Sequence, residues 1–276
     1  MHNKSWMARL MAAPHVVWSI LFILAPLAFV FYYAFTDKTG AFTLNNIKEL
    51  GSASYLDIFT RSLCFALAAT AICLLVAYPL AYAISRAKPR SQKICIMLTM
   101  LPMWMNFLIR TYSIMAILED TGFLNSLLGR IGLPPLHIIN TGGAVIFGMV
   151  YNYLPYMDLP IYTVLSKLDN RLLEASADLG CTPMQTFFKV VMPLSRSGVV
   201  SGVTMVFVPS VSTFYISQKL GGGKFQLIGD VIERQFQSAY NYNLGAAMSL
   251  VLMVLILLSL AVMNRYSDEE EGGLVA

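Results

Sequence analysis

Few residues of this chain could do covalent or metal chemistry, and most of those fail on spacing. Lys224 follows Gly221-Gly222-Gly223, the nearest approach to a phosphate-gripping loop. Such a loop needs Gly five residues before its Gly-Lys pair and Ser or Thr after it. Gln218 and Phe225 stand at those positions, so the stretch reads as a flexible loop and no cofactor is expected on this chain. Cys64, Cys73, Cys95 and Cys181 form no CxxC pair and no metal-ligand set; the three in or beside apolar runs read as small buried hydrophobes. His2, His15 and His137 are scattered. No catalytic or metal-binding residue emerges, which weakens an enzyme reading.

One polar loop carries more information. Residues 167–196 read KLDNRLLEASADLGCTPMQTFFKVVMPLSR. Asp169 and Asn170 are good helix caps. Beyond them Leu172, Ala175, Ser176 and Leu179 share one helical face, with Arg171, Glu174 and Asp178 on another. Gly180 suits the left-handed residue that ends a helix, and Thr182-Pro183 suits the start of the next. The expected product is a helix–turn–helix elbow whose small residues admit a close partner surface. The plainer alternative is two amphipathic helices resting on the bilayer.

The elements around this loop follow from composition. Of 276 residues, 57% are apolar and 12% charged, where soluble domains carry roughly a quarter charged. Lipid as solvent resolves the imbalance. Charge-free runs predict about six spans in a single all-α integral membrane domain covering residues 1–276: roughly 14–35, 62–85, 94–118, 143–166, 197–217 and 244–264. Each reaches about the 20 residues that cross ~30 Å of hydrocarbon. Residues 10–36 lack any charge and outrun a cleaved leader's core of ~7–15 residues, so the first run reads as a retained span.

Lys and Arg set the orientation. Eleven fall at the termini and in the even-numbered connections, four of them within Arg86–Lys93, against seven on the other side. Both termini and the loop 167–196 are therefore expected in the cytoplasm. Outside, Phe225, Ile228, Ile232 and Phe236 recur at helical spacing and predict an amphipathic surface helix. Gly122–Pro134 reads similarly, and the acidic stretch Asp268–Glu271 reads as a solvated end. The net charge of +4 is small and dispersed in short clusters, which excludes a polybasic nucleic-acid binder.

Glu174-Ala175-Ser176, Gly180 six residues after the Glu, and Val191-Met192-Pro193 resemble the EAA signature of ABC importer permeases. The signature has Ala where Ser176 stands and Ile where Val191 stands, both small or isosteric changes. LPMWMNFLIRTYSI (101–114), LPYMDLPIYTVLSKLDNRLLEASADLG (154–180) and FVPSVSTFYISQKLGGG (207–223) look closest to spermidine/putrescine permeases. The resemblance runs over nearly the whole chain. It implies a type I importer permease in a bacterial-type inner membrane, with a second permease subunit, ATP-binding cassette ATPase subunits that use the ATP, and an external substrate-binding protein. It also implies that Leu172, Glu174, Ala175, Ser176, Leu179, Gly180 and Pro193 couple to the ATPase.

Polar residues inside the spans remain to be placed. Arg110 falls near the outer interface, where it can snorkel to water, with a pathway role as the alternative. Asp158, between Pro155 and Pro160, lies deeper, where an acid faces a protein interior or an aqueous path. The two differ in height by ~11 Å, which argues against a direct pair. A polycation pathway should offer carboxylates and aromatic faces; Asp158, Trp104, Tyr156, Tyr215, Asp230 and Glu233 are the candidates, with Tyr151, Tyr153 and Phe214 beside them. Interfacial packing is the plain reading of the aromatics. Gly198 and Gly202 form a GxxxG expected to meet a partner subunit. The rival readings are a permease for another small solute and a stand-alone secondary transporter, which would need more coupled midplane charges and an inverted repeat.

Overall fold

Helices make up almost all of the structure, a computed structural model that describes residues 13–271. The basic start at Lys4 and Arg9 lies outside them. No strand forms among the described residues; one isolated antiparallel bridge joins Thr36 to Phe42. Two compact units result, one from the residues up to Asp57 with Val231–Leu255, the other from Ile58–Asp230 with the residues from Ile256 on.

In the first unit, α1 (Ala13–Ala34) is apolar enough to cross a membrane and buries none of its most apolar stretch within the chain. Its turn widens to a π-helix over Ile20–Leu24, just ahead of Pro26, whose ring lacks an N–H and crowds the carbonyl four residues back. α2 (Asn45–Leu50) follows a tight loop. Two amides hold that loop: the Asn46 side chain donates to Thr36 O at 2.9 Å, and the Asn243 side chain to the same oxygen at 2.7 Å.

The second unit contains the main core. α3 (Ala53–Arg86) is 34 residues long and starts well before the expected 62. Charges such as Arg61 end an apolar run without ending a helix, so a charge-free run does not mark where the element starts. The expected continuous span 94–118 is broken. α4 (Pro89–Trp104) stops after Pro102, and α5 (Phe107–Leu118) starts anew with Asn106 as cap, accepting from Leu108 N at 2.9 Å. α6 (Phe123–Arg130) continues from α5, and the direction turns by 96° at the break.

α7 (Gly142–Leu165) runs through Pro155 and Pro160 without stopping. α8 (Asn170–Asp178) and α9 (Pro183–Leu194) form the loop's two arms. α10 (Arg196–Val211) leaves α9 at a 66° bend. It ends short of the expected residue 217, because the chain breaks at Ser212–Phe214 and re-forms as α11 (Tyr215–Leu220). α12 (Ile228–Gln237) and α13 (Tyr242–Glu271) complete the chain. The acidic stretch Asp268–Glu271, expected as a solvated end, is helical.

Among the described residues three helices are long and apolar enough to cross a membrane alone, and up to five if each bent pair counts as one. α7 falls outside that test because Asn152, Asp158 and several tyrosines dilute it. At 24 residues it still spans ~36 Å, and Met149, Met157 and Ile161 are fully buried. Its closest partner is α10. A Cβ on Gly198 would stand 2.9 Å from Pro160 O, and one on Gly202 would stand 2.8 Å from Met157 Sδ. The GxxxG expected to meet a partner subunit is spent on α7 of the same chain.

Candidate functional site

The elbow is built from local hydrogen bonds that leave almost no backbone choice. Asp169 caps α8 by accepting from Arg171 N at 3.0 Å. At the other end Gly180 takes φ +81°. Its N–H donates to Ala177 O at 2.9 Å and Cys181 N–H to Ser176 O at 3.0 Å, the paired closure that satisfies a helix's last carbonyls. A Cβ on Gly180 would meet nothing within 4 Å, so conformation and not space requires glycine there. Thr182 then starts α9 in a reciprocal capping box with Gln185, at 3.3 and 2.9 Å.

Long-range contacts fasten this elbow to α3. The Phe187 ring meets Tyr78 and Tyr82 edge-on, with centroids 5.5 and 5.6 Å away. The Tyr78 hydroxyl is 2.6 Å from Ser195 Oγ, and Arg86 Nη1 donates to Asn170 Oδ1 at 2.6 Å. Sequence reasoning missed Phe187, Tyr78 and Ser195, since nothing local pairs positions a hundred residues apart.

The expected docking face divides. Leu172 is 46% exposed and Leu179 85%, while Ala175 and Glu174 also face out. Ser176 does not belong with them. It is buried, bonding Leu173 O at 2.7 Å and Thr186 Oγ1 at 2.8 Å, so it braces the two arms against each other. Pro193 is half-buried in the last turn of α9. Met184, 67% exposed on α9, extends the apolar knob and was not anticipated. The elbow thus exposes an apolar knob on a rigid turn.

The pathway candidates have different surroundings. Asp158 is fully buried, and neither carboxylate oxygen has a hydrogen-bond partner; as expected, it forms no pair with Arg110. Arg110, expected to snorkel to water, is instead covered by the chain. It is 5% exposed, with Nε and Nη1 unbonded and its guanidinium 5.9 Å from the Phe107 ring. The Tyr215 ring, expected to receive a passing cation, faces the chain's own Lys219, whose Nζ lies 5.7 Å from it and 5.3 Å from Tyr112.

Asp230 serves α12. Its carboxylate accepts from Leu227 N at 2.8 Å and Ser217 Oγ at 2.9 Å, and Ile228 N–H donates to Ser62 Oγ at 2.7 Å. With Leu227 and Ile228 fully buried, the start of this helix is anchored in the core instead of lying free on the surface. Glu233, farther along α12, is half-buried and already engaged within the chain. Trp104 is 74% exposed at the end of α4.

Tyr156 lines a groove of about 460 Å³ between α7 and α10, shared with Thr163, Ser197, Ser201 and Met205. Ser197, Ser201 and Met205 repeat every fourth residue beside the two glycines, a hydroxyl-bearing stripe legible in the sequence but overlooked there.

Residues 6–269 match the family described as binding-protein-dependent transport system inner membrane component. The spermidine/putrescine transport system permease protein PotB of Haemophilus influenzae is 39% identical over 256 residues, 90% of each chain. PotB of Escherichia coli K12 is 36% identical over 260 residues, covering 91% of this chain and 94% of the relative. In fold, the chain superimposes on a bacterial alginate ABC transporter crystallised with an alginate pentasaccharide-bound periplasmic protein. The TM-score is 0.82 at 14% identity, over 97% of this chain and 96% of that one.

Proposed function

Because the chain belongs to the binding-protein-dependent transport system inner membrane component family, we propose that it is one of two permease subunits in an ATP-driven polyamine importer. Spermidine and putrescine are the solutes named for relatives that match over most of both chains. Hydrolysis belongs to separate ATPase subunits, and delivery to an external binding protein. The observation that carries the mechanism is the elbow's construction: a capped, left-handed turn fastened to α3, with Leu172, Leu179 and Met184 exposed. Burying an exposed leucine against a partner contributes ~1.5–3 kcal/mol. A rigid mount lets the ATPase's movement reach the membrane helices instead of dissipating in a loop.

The solute path lies against the Tyr156–Ser201 groove, closed by the second permease. Its hydroxyls can replace water around an ammonium group. Both termini and the elbow lie in the cytoplasm, as the Lys and Arg distribution favours. Cys181, a partly exposed free thiol beside Gly180, should therefore react with a membrane-impermeant maleimide in inside-out vesicles and not in intact cells. Reaction from outside would overturn this orientation. The function itself is tested by purification and reconstitution. An ATPase should co-purify, and proteoliposomes with the binding protein should take up spermidine or putrescine only with ATP. Uptake without any ATPase would end the proposal.

A further inference from the structure

The first unit contains a cavity of about 480 Å³ that the transport cycle proposed above does not use. Tyr32, Tyr33, Tyr240 and Tyr242 line it with Thr36, Asp37, Lys38, Thr39, Gly40 and Asn243. Its size falls within the ~300–1,000 Å³ of small-ligand sites. The wall is built, not incidental. The Asn243 side chain clamps Thr36 O and Tyr33 O at 2.7 and 3.2 Å. Asp37 Oδ1 receives Thr39 N at 2.8 Å, Thr39 Oγ1 at 2.6 Å and Ala41 N at 3.0 Å. Those donors, with the Gly40 backbone N–H, hold the Asp37 carboxyl below its ordinary range, and the residue stays exposed.

The tyrosines line the same cavity as that anion. Tyr33 lies 5.6 Å from Tyr32 and 6.5 Å from Tyr242, centroid to centroid. All four are at least two-fifths exposed, although interior packing would hide such rings. Tyr240 is also held at φ +51°, a left-handed conformation that a non-glycine residue keeps only when its surroundings enforce it. An exposed carboxylate in the wall fits a donor with positive charge, and electron-rich ring faces fit the same charge through their quadrupole. The rings also shield an apolar stem. Lys38 is the opposing charge in the wall.

We propose that this pocket binds alkylammonium groups, holding the cation between Asp37 and the Tyr33 and Tyr242 rings. It is a capture site on the loop after α1, separate from the α7–α10 groove. Its identification with polyamines rests on the importer reading above; its chemistry does not.

The test is calorimetric binding to the purified transporter complex in nanodiscs, using spermidine and n-butylammonium as probes, with spermidine uptake measured in parallel. Asp37→Asn keeps the Oδ1 acceptor and removes the charge, and Tyr242→Leu removes a ring face. Each should weaken both probes by roughly tenfold, the effect of one lost charged contact. Tyr242→Phe should restore binding, and Lys38→Gln should tighten it. The opposite signs at neighbouring residues are the signature, since a merely structural role would move both alike. Affinities that ignore Asp37 and Lys38, or shift the same way for both, overturn the pocket even if spermidine is transported. Asp37-dependent n-butylammonium binding without spermidine uptake would keep the pocket and sink the polyamine reading.

Discussion

The elbow and the helix pair α7–α10 distribute their costs in opposite ways. The elbow satisfies its polar groups locally and leaves leucines uncovered. α7 covers its surface and leaves polar atoms unsatisfied: both oxygens of Asp158 and Oδ1 of Asn152, with Thr204 Oγ1 on α10. An exposed leucine calls for a partner, and a stranded carboxylate calls for a cation or a proton. On the importer reading proposed above, the first would dock a partner and the second would face the solute path.

The largest effect should come from stiffening the wrong side of this contrast. Gly180→Val forces a β-branched residue into φ +81°, costing ~1–2 kcal/mol, or else reopens the turn and swings Leu179 away. The complex should insert and assemble, yet lose substrate-stimulated ATP hydrolysis and uptake. Wild-type uptake would mean the elbow's geometry is irrelevant.

Next comes Asp158→Asn, which keeps size and removes the charge. Hydrogen bonds to charged groups contribute ~1.5–3 kcal/mol, so uptake should fall roughly tenfold or more. Assembly should hold, and thermal stability should stay level or rise because an uncompensated charge is gone. Weaker assembly instead would show that a basic group of the second permease is its partner. Undiminished uptake by an intact complex would remove Asp158 from the path.

Gly198→Ala sharpens the other half. Its new methyl would stand 2.9 Å from Pro160 O and 3.1 Å from Ile161 Cα, backbone atoms that cannot turn aside. Overpacking of this kind costs ~1–3 kcal/mol and should lower the melting temperature of the complex, leaving ATPase docking intact. Unchanged melting would mean that α7 and α10 are not held as closely as drawn.

The smallest effect is expected at the elbow's fastening. Tyr78→Phe loses the 2.6 Å contact to Ser195 but keeps the Phe187 ring contact. The Ser195 hydroxyl still donates to Met192 O at 3.1 Å, so the loss should be ~0.5–1.5 kcal/mol. The result should be partial uncoupling, seen as a lower ratio of solute moved to ATP hydrolysed. An unchanged ratio would locate the fastening in Phe187 and the Arg86–Asn170 bond.

Sequence alone determined what is local or additive. Apolar runs marked the membrane, Asp169, Gly180 and Thr182 marked the turns of the elbow, and the triplet at Glu174 marked the family. Each depends on residues a few positions apart, where helix geometry fixes who meets whom. Tertiary structure decided the rest. Ser176 sits on the expected docking face by periodicity, yet Thr186 ten residues on draws it inward. Gly198 and Gly202 carry a contact motif that names no partner, and only packing shows it to be α7. Asp230 and Tyr215 have the chemistry of a cation path, but Ser217, Leu227 and Lys219 engage them first. A side chain's type sets what it can bind; which of several willing groups reaches it is fixed by close packing of distant segments, and spacing along the chain does not encode that.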